Sequence, residues 1–177
     1  MKEITVYHGS PKIIESPAFW VGNPNNDYGL GFYCTESMEL AKEWACSNDS
    51  DGFANQYKLN LTELSVLSLT GGSYHILNWL FVLLENRKFR IGSEIAKQAQ
   101  AYIFENFTVD YEHYDIIKGY RADDSYFAFA SAFLNNTISL QQLEQAMVLG
   151  KLGEQIVLRS PKAFASVQFE NAISAPN

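Results

Sequence analysis

Ile4-Thr5-Val6-Tyr7-His8 reads as a short strand, β-branched in character and ending in Gly9-Ser10-Pro11. Near the other end, Gln155-Ile156-Val157-Leu158 reads the same way, and Ala165 to Phe169 alternates like a final strand. Strands at both ends, with helical segments and further strands between them, predict a mixed sheet and an α+β class. Working inward, Pro11 to Gly31 holds three of the five prolines together with Gly22, Asn23, Asn25, Asn26 and Gly29. That stretch is expected to be a long ordered loop, and loops of such length in a compact domain are often functional.

Phe32-Tyr33-Cys34 is expected to be a short strand, followed by a helix with Thr35 as N-cap and Glu36 and Glu39 near its positive end. Leu40, Ala41, Trp44 and Ala45 form its buried stripe. Even spacing of Phe53, Tyr57, Leu59 and Leu61 predicts another strand, and Val66 to Leu69 a further one. Two helices are expected over Tyr74 to Phe89 and Ser93 to Phe107, separated by Arg90-Ile91-Gly92. Trp79, Phe81, Tyr102 and Phe104 give this pair more apolar surface than a surface helix needs, which predicts a helical insertion packed against the sheet. Asp115 to Tyr120 reads as a strand running into Arg121-Ala122-Asp123-Asp124. Ser125 suits the cap of a helix through Phe133, and Ser139 with Gln142 form a capping box for a helix closed by Gly150.

At 177 residues with no Pro/Gly linker, no repeat and no low-complexity tract, residues 1–177 are expected to form a single domain. Apolar residues at 47% exclude a chain disordered throughout, and 14% aromatics imply a core or cleft rich in rings. Thirteen basic residues against 20 acidic ones, a charge of -7, disfavour binding to double-stranded nucleic acid through phosphate neutralisation. Cys34 and Cys46 show no CxxC spacing, so neither a disulfide framework nor a structural zinc site is indicated. His8, His75 and His113 lie far apart without a ligand spacing, and no metal is expected. The most apolar stretch, Ile76 to Leu84, is nine residues long and contains Asn78. A bilayer needs roughly 20, so it reads as a buried helix. With no signal-peptide pattern at the N-terminus, the expected location is cytoplasmic and off the membrane.

Neither GxGxxG after a strand nor GxxxxGK[ST] occurs. Three segments stand out instead: Tyr7-His8-Gly9-Ser10, Asp27-Tyr28-Gly29-Leu30-Gly31-Phe32-Tyr33-Cys34-Thr35, and Leu152-Gly153-Glu154-Gln155-Ile156-Val157-Leu158. Each sets a polar residue at a strand edge beside glycine, where a ligand can approach the backbone. In this order they resemble the ADP-ribosyltransferase superfamily, in its diphtheria-toxin-like branch with a histidine–tyrosine–glutamate triad. More closely, the chain is similar to a family of small bacterial proteins of uncharacterised function assigned to that fold. The resemblance runs from Tyr7 to Ser160 and takes in Gly119-Tyr120-Arg121-Ala122-Asp123-Asp124 and Trp44-Ala45.

The resemblance implies an ADP-ribosyltransferase-like split, mixed β-sheet core, with NAD as the substrate. His8 matches the triad member that holds the nicotinamide ribose, and Tyr33 the one whose ring stacks on the nicotinamide. Gln155 falls where the family places its glutamate, and Gly9, beside Ser10, would offer backbone groups to the nicotinamide amide. Asp123 and Asp124 are candidates to bring negative charge over the cleft, although alone they read as a turn and a helix cap. Asp27-Tyr28-Gly29 reads as a turn that shapes the loop. Glu154 is expected to point to the opposite face from Gln155.

Cleavage of the nicotinamide–ribose bond builds positive charge on the sugar, which a carboxylate stabilises. The amide of Gln155 accepts a hydrogen bond from a hydroxyl but carries no charge. Two functions from different classes therefore stand. One is NAD-dependent transfer of ADP-ribose to a macromolecular acceptor with release of nicotinamide, or hydrolysis if water takes the acceptor's place. The other is a catalytically silent module binding a nucleotide or a protein. A toxin–antitoxin-like setting with a cognate antitoxin-like partner is an analogy with small members of such families.

Overall fold

A computed structural model describes residues 2–46, 50–122, 124–149 and 153–176. The class is mixed α+β. The described residues form seven strands and six helices, in the order β1 (Glu3–Ser10), β2 (Phe32–Cys34), α1 (Met38–Ala45), β3 (Gly52–Asn60), β4 (Val66–Ser68), α2 (Ile76–Asn86), α3 (Glu94–Asn106), β5 (Ile116–Tyr120), α4 (Asp124–Leu134), α5 (Leu140–Leu149), β6 (Glu154–Leu158), α6 (Pro161–Ala165) and β7 (Val167–Ala175). No described helix is long and apolar enough to cross a membrane.

The strands make two sheets. One is antiparallel in the order β1-β3-β7, and the other runs β2-β6-β5-β4 with a parallel β4–β5 pair. They meet at a seam where Tyr7 N–H donates to the Thr35 carbonyl (2.8 Å) and Thr35 N–H to the Tyr7 carbonyl (2.9 Å). Each residue of a strand faces the opposite way from its neighbour, so the four-stranded sheet builds two different cores. Ile117 and Val157 face the larger core, centred on α2. Ile116, Ile156, Leu158, Phe32 and Cys34 face the smaller core, which includes Val6, Tyr57 and Leu59 of the three-stranded sheet.

The sequence pattern located most elements, and the differences have local causes. Ser37, not Thr35, caps α1: its side chain accepts from Leu40 N–H, while Thr35 is held in the seam and accepts from Ser37 N–H. The capping box forms as expected, with Ser139 N–H donating to Gln142 Oε1 (2.8 Å) and Gln142 N–H to Ser139 Oγ (3.2 Å). Gly150, expected to close that helix, lies outside the described residues. Because α4 begins at Asp124, Ser125 sits in its first turn and not at its cap. Ser160 and Pro161 start a short helix α6 that the alternation of Ala165 to Phe169 conceals, and β7 then runs on to Ala175.

The helical insertion packs on the sheet through α2, in which Ile76, Leu77 and Trp79 to Leu84 are all buried. α3 buries only Ala96 and Ile103, and Tyr102, expected inside, is 57% exposed. The Pro11–Gly31 loop is pinned by side chains. Tyr57 Oη donates to the Ile14 carbonyl (2.6 Å), Asn55 Oδ1 accepts from Ile14 N–H (2.9 Å), and Tyr28 Oη donates to the Tyr120 carbonyl (2.5 Å).

Candidate functional site

Strand alternation and the seam together decide which polar side chains share a space. Antiparallel register sets Tyr33 opposite Val157 and Gly119 opposite Gln155, so Tyr33, Val157, Gln155 and Gly119 lie on the α2-facing side of the sheet. Glu154 lies on the reverse side. There its carboxylate accepts from Thr70 Oγ1 and pairs with Lys118 Nζ (2.9 Å), which also pairs with Glu36. The alternation expected from sequence therefore separates Glu154 from Gln155.

The seam carries β1 across this edge. His8 Nδ1 lies 2.7 Å from the Tyr33 carbonyl and must donate to it, so the neutral ring keeps Nε2 as an acceptor. The ring stacks on Phe32, with centroids 4.3 Å apart. Since Tyr7 spends both main-chain groups on Thr35, Gly9, two residues on, directs its own N–H and C=O along the same edge. A side chain at Gly9 would collide with the Ala41 carbonyl and Trp44 Cβ of α1, so the absence of one is what lets that helix dock here.

His8, Gly9, Tyr33 and Gln155 line one cleft of about 500 Å³, together with Asn26, Asp27, Trp44, Arg87, Arg121 and Ala122. Ser10 does not line it: the side chain is buried and accepts from Lys12 N–H. Asp123 lies outside the described residues, and Asp124 is the first residue of α4. Gln155 is 8% exposed, and its Oε1 is buried with no hydrogen-bond partner among the described residues. An unpaired buried acceptor costs about 1–3 kcal/mol, which a ligand donor would recover. Tyr33 is held differently. Its hydroxyl donates to the Gly29 carbonyl (2.7 Å) and accepts from Tyr28 N–H (3.0 Å), and burial pushes its pKa well up. The residue offers a fixed ring rather than acid–base chemistry.

Burial holds His8 below its ordinary pKa of 6.5, outweighing the Tyr33 carbonyl that favours the proton. The unfolded chain then binds that proton more readily, so His8 subtracts stability as pH falls from about 6.5 toward the lowered value and nothing more beneath it. Between pH 7 and 5 the melting temperature of the wild type is expected to drop further than that of His8→Gln. Equal drops would place the titration elsewhere.

The groups not picked out from sequence are charged. Asp27, assigned only to a turn, is buried, and its carboxylate accepts from Arg87 Nη1 (2.9 Å) and Ala122 N–H (2.9 Å). Burial raises its pKa, against the pull of the Ala122 N–H and Arg87. Arg87, the C-cap of α2, has no motif around it, and only the fold of α2 brings it beside Asp27. Arg121 lies with its guanidinium 5.2 Å from the Trp44 ring centroid, and Trp44 Nε1 is buried without a partner among the described residues. Cys34 is fully buried with its thiol pKa pushed up, which suits packing and not nucleophilic attack. Among the described residues, no group of three or more His, Cys, Asp or Glu is placed to hold a metal ion.

The family model described as a protein of unknown function, DUF3990, matches residues 4–169. No curated protein and no solved structure matches the chain.

Proposed function

This chain belongs to the DUF3990 family, and we propose that it is an NAD-binding, ADP-ribosyltransferase-like protein whose cleft takes the nicotinamide–ribose end of NAD. The observation that carries the reading is the unpaired Oε1 of Gln155, buried in the same cleft as His8 and Tyr33. A ribose hydroxyl would supply the donor that this acceptor lacks. His8 Nε2 would take a second hydroxyl, the Tyr33 ring would stack on the nicotinamide, and the edge of Gly9 would meet its amide. Two sheets meeting at a seam, with the cleft at their junction, agree with the split mixed core that the resemblance implies.

The reaction proposed is transfer of ADP-ribose to a macromolecular acceptor with loss of nicotinamide. The protein would supply positioning and an uncharged hydrogen bond at the ribose. The amide at Gln155 also favours a second reading, a catalytically silent nucleotide-binding module, because no carboxylate stands at that position to oppose charge on the sugar. In either case a cytoplasmic setting with an antitoxin-like partner belongs to the proposal.

Calorimetry with NAD and an assay for free nicotinamide test both readings. NAD is expected to bind in the millimolar range or tighter, and His8→Ala, checked for folding by thermal denaturation, is expected to remove the binding. Glu154→Ala, altered on the reverse face and outside the lining of the cleft, is expected to change affinity less than about twofold. No heat at millimolar NAD would overturn the NAD assignment. Binding without nicotinamide release would select the silent module.

A further inference from the structure

We infer that Trp44, Arg87 and Arg121 form an anion subsite in this cleft that takes the diphosphate of a nucleotide; the inference rests on the NAD reading and deepens it. The chain is acidic overall, with a charge of -7, yet the described residues lining the cleft contribute two guanidiniums against one carboxylate. That carboxylate, Asp27, is already engaged by Arg87 Nη1 and Ala122 N–H, so it is held back from an incoming anion. Arg121 makes no ion pair with any carboxylate whose side chain the structure describes, although its charge acts on Asp27. It rests instead on the face of Trp44, whose Nε1–H is buried and unpaired. Arg87 is fixed from two sides, by Asp27 and by the Phe127 ring 4.7 Å from its guanidinium carbon.

Indole N–H and guanidinium groups are donors only, so they need acceptors, and the guanidinium charge favours an anionic one. In the same cleft His8, Tyr33 and Gln155 have the complementary character, two acceptors and a ring, suited to hydroxyls and a base. A ligand that satisfies both sets of groups carries hydroxyls and an oxyanion in one molecule. A diphosphate linked to a ribose carries both, and planar guanidiniums suit its oxygens in particular.

The test is calorimetry with ADP-ribose, nicotinamide riboside, inorganic pyrophosphate and malonate, on the wild type and on Arg121→Gln and Trp44→Phe, each checked for folding by thermal denaturation. Arg121→Gln is expected to weaken ADP-ribose binding about 10- to 100-fold. Trp44→Phe keeps the ring under Arg121 and loses only the N–H, with an expected loss of about 5- to 10-fold. Neither variant should change nicotinamide riboside binding more than about twofold, and pyrophosphate should compete with ADP-ribose where malonate does not. Unchanged ADP-ribose affinity in both variants, or competition by malonate equal to that by pyrophosphate, would overturn the diphosphate subsite. If nicotinamide riboside fails to bind while ADP-ribose still depends on Arg121, the subsite stands and the nicotinamide assignment falls.

Discussion

Gln155→Glu is expected to raise the rate of nicotinamide release from NAD by about 10²–10³-fold, the usual scale for one well-placed electrostatic contact to a developing charge. The position is prepared for it. Gln155 Oε1 is buried and unpaired, so the substitution breaks no hydrogen bond among the described residues and nearly preserves volume. The new carboxylate would stand where charge on the ribose develops. Burial would raise its pKa, while Arg87 and Arg121 on the same cleft would lower it. Activity should therefore rise with pH as that group ionises, a dependence absent from the wild type. Measured nicotinamide release across a pH series checks both the gain and its shape. A variant that binds NAD as the wild type does, yet stays inert at every pH, would favour the silent module.

Trp79→Ala is expected to cost about 3–5 kcal/mol and lower the melting temperature by roughly 6–20 °C. Trp79 is fully buried near the start of α2, so truncation opens a cavity in the larger core. It also removes the Nε1–H that donates to Tyr28 Oη (3.0 Å), which in turn donates to the Tyr120 carbonyl. That relay ties α2, the long loop and β5 together. Gly119 belongs to the same arrangement, since a side chain there would collide with the Tyr28 ring and hydroxyl. Chemical denaturation measures the loss. Tyr28→Phe separates the two contributions: it keeps the ring but leaves the Trp79 N–H and the Tyr120 carbonyl unpaired, for a smaller loss of about 1–3 kcal/mol. Equal losses for the two variants would mean that the hydrogen bonds, not the packing, dominate.

The local sequence determined what depends on neighbours along the chain. Alternation along Gln155 to Leu158 placed Gln155 and Glu154 on opposite faces, and the Ser139–Gln142 pair marked a helix start, because both are settled within a few residues. The apolar run Ile76–Leu84 identified a buried helix without showing what it packs on. Thr35 shows the reverse: the capping chemistry of its neighbours gives way to seam hydrogen bonds with Tyr7, a residue 28 positions away. The charged half of the cleft was decided only by tertiary structure. Asp27 is a turn residue by its neighbours and becomes a buried ion-pair partner only because α2 ends with Arg87 beside it. Arg121 meets Trp44 only because Gly9 lets α1 dock against β1. Such contacts join residues tens of positions apart, and burial then sets the strength of the charges. Neither long-range contact nor burial leaves a periodic trace in the sequence.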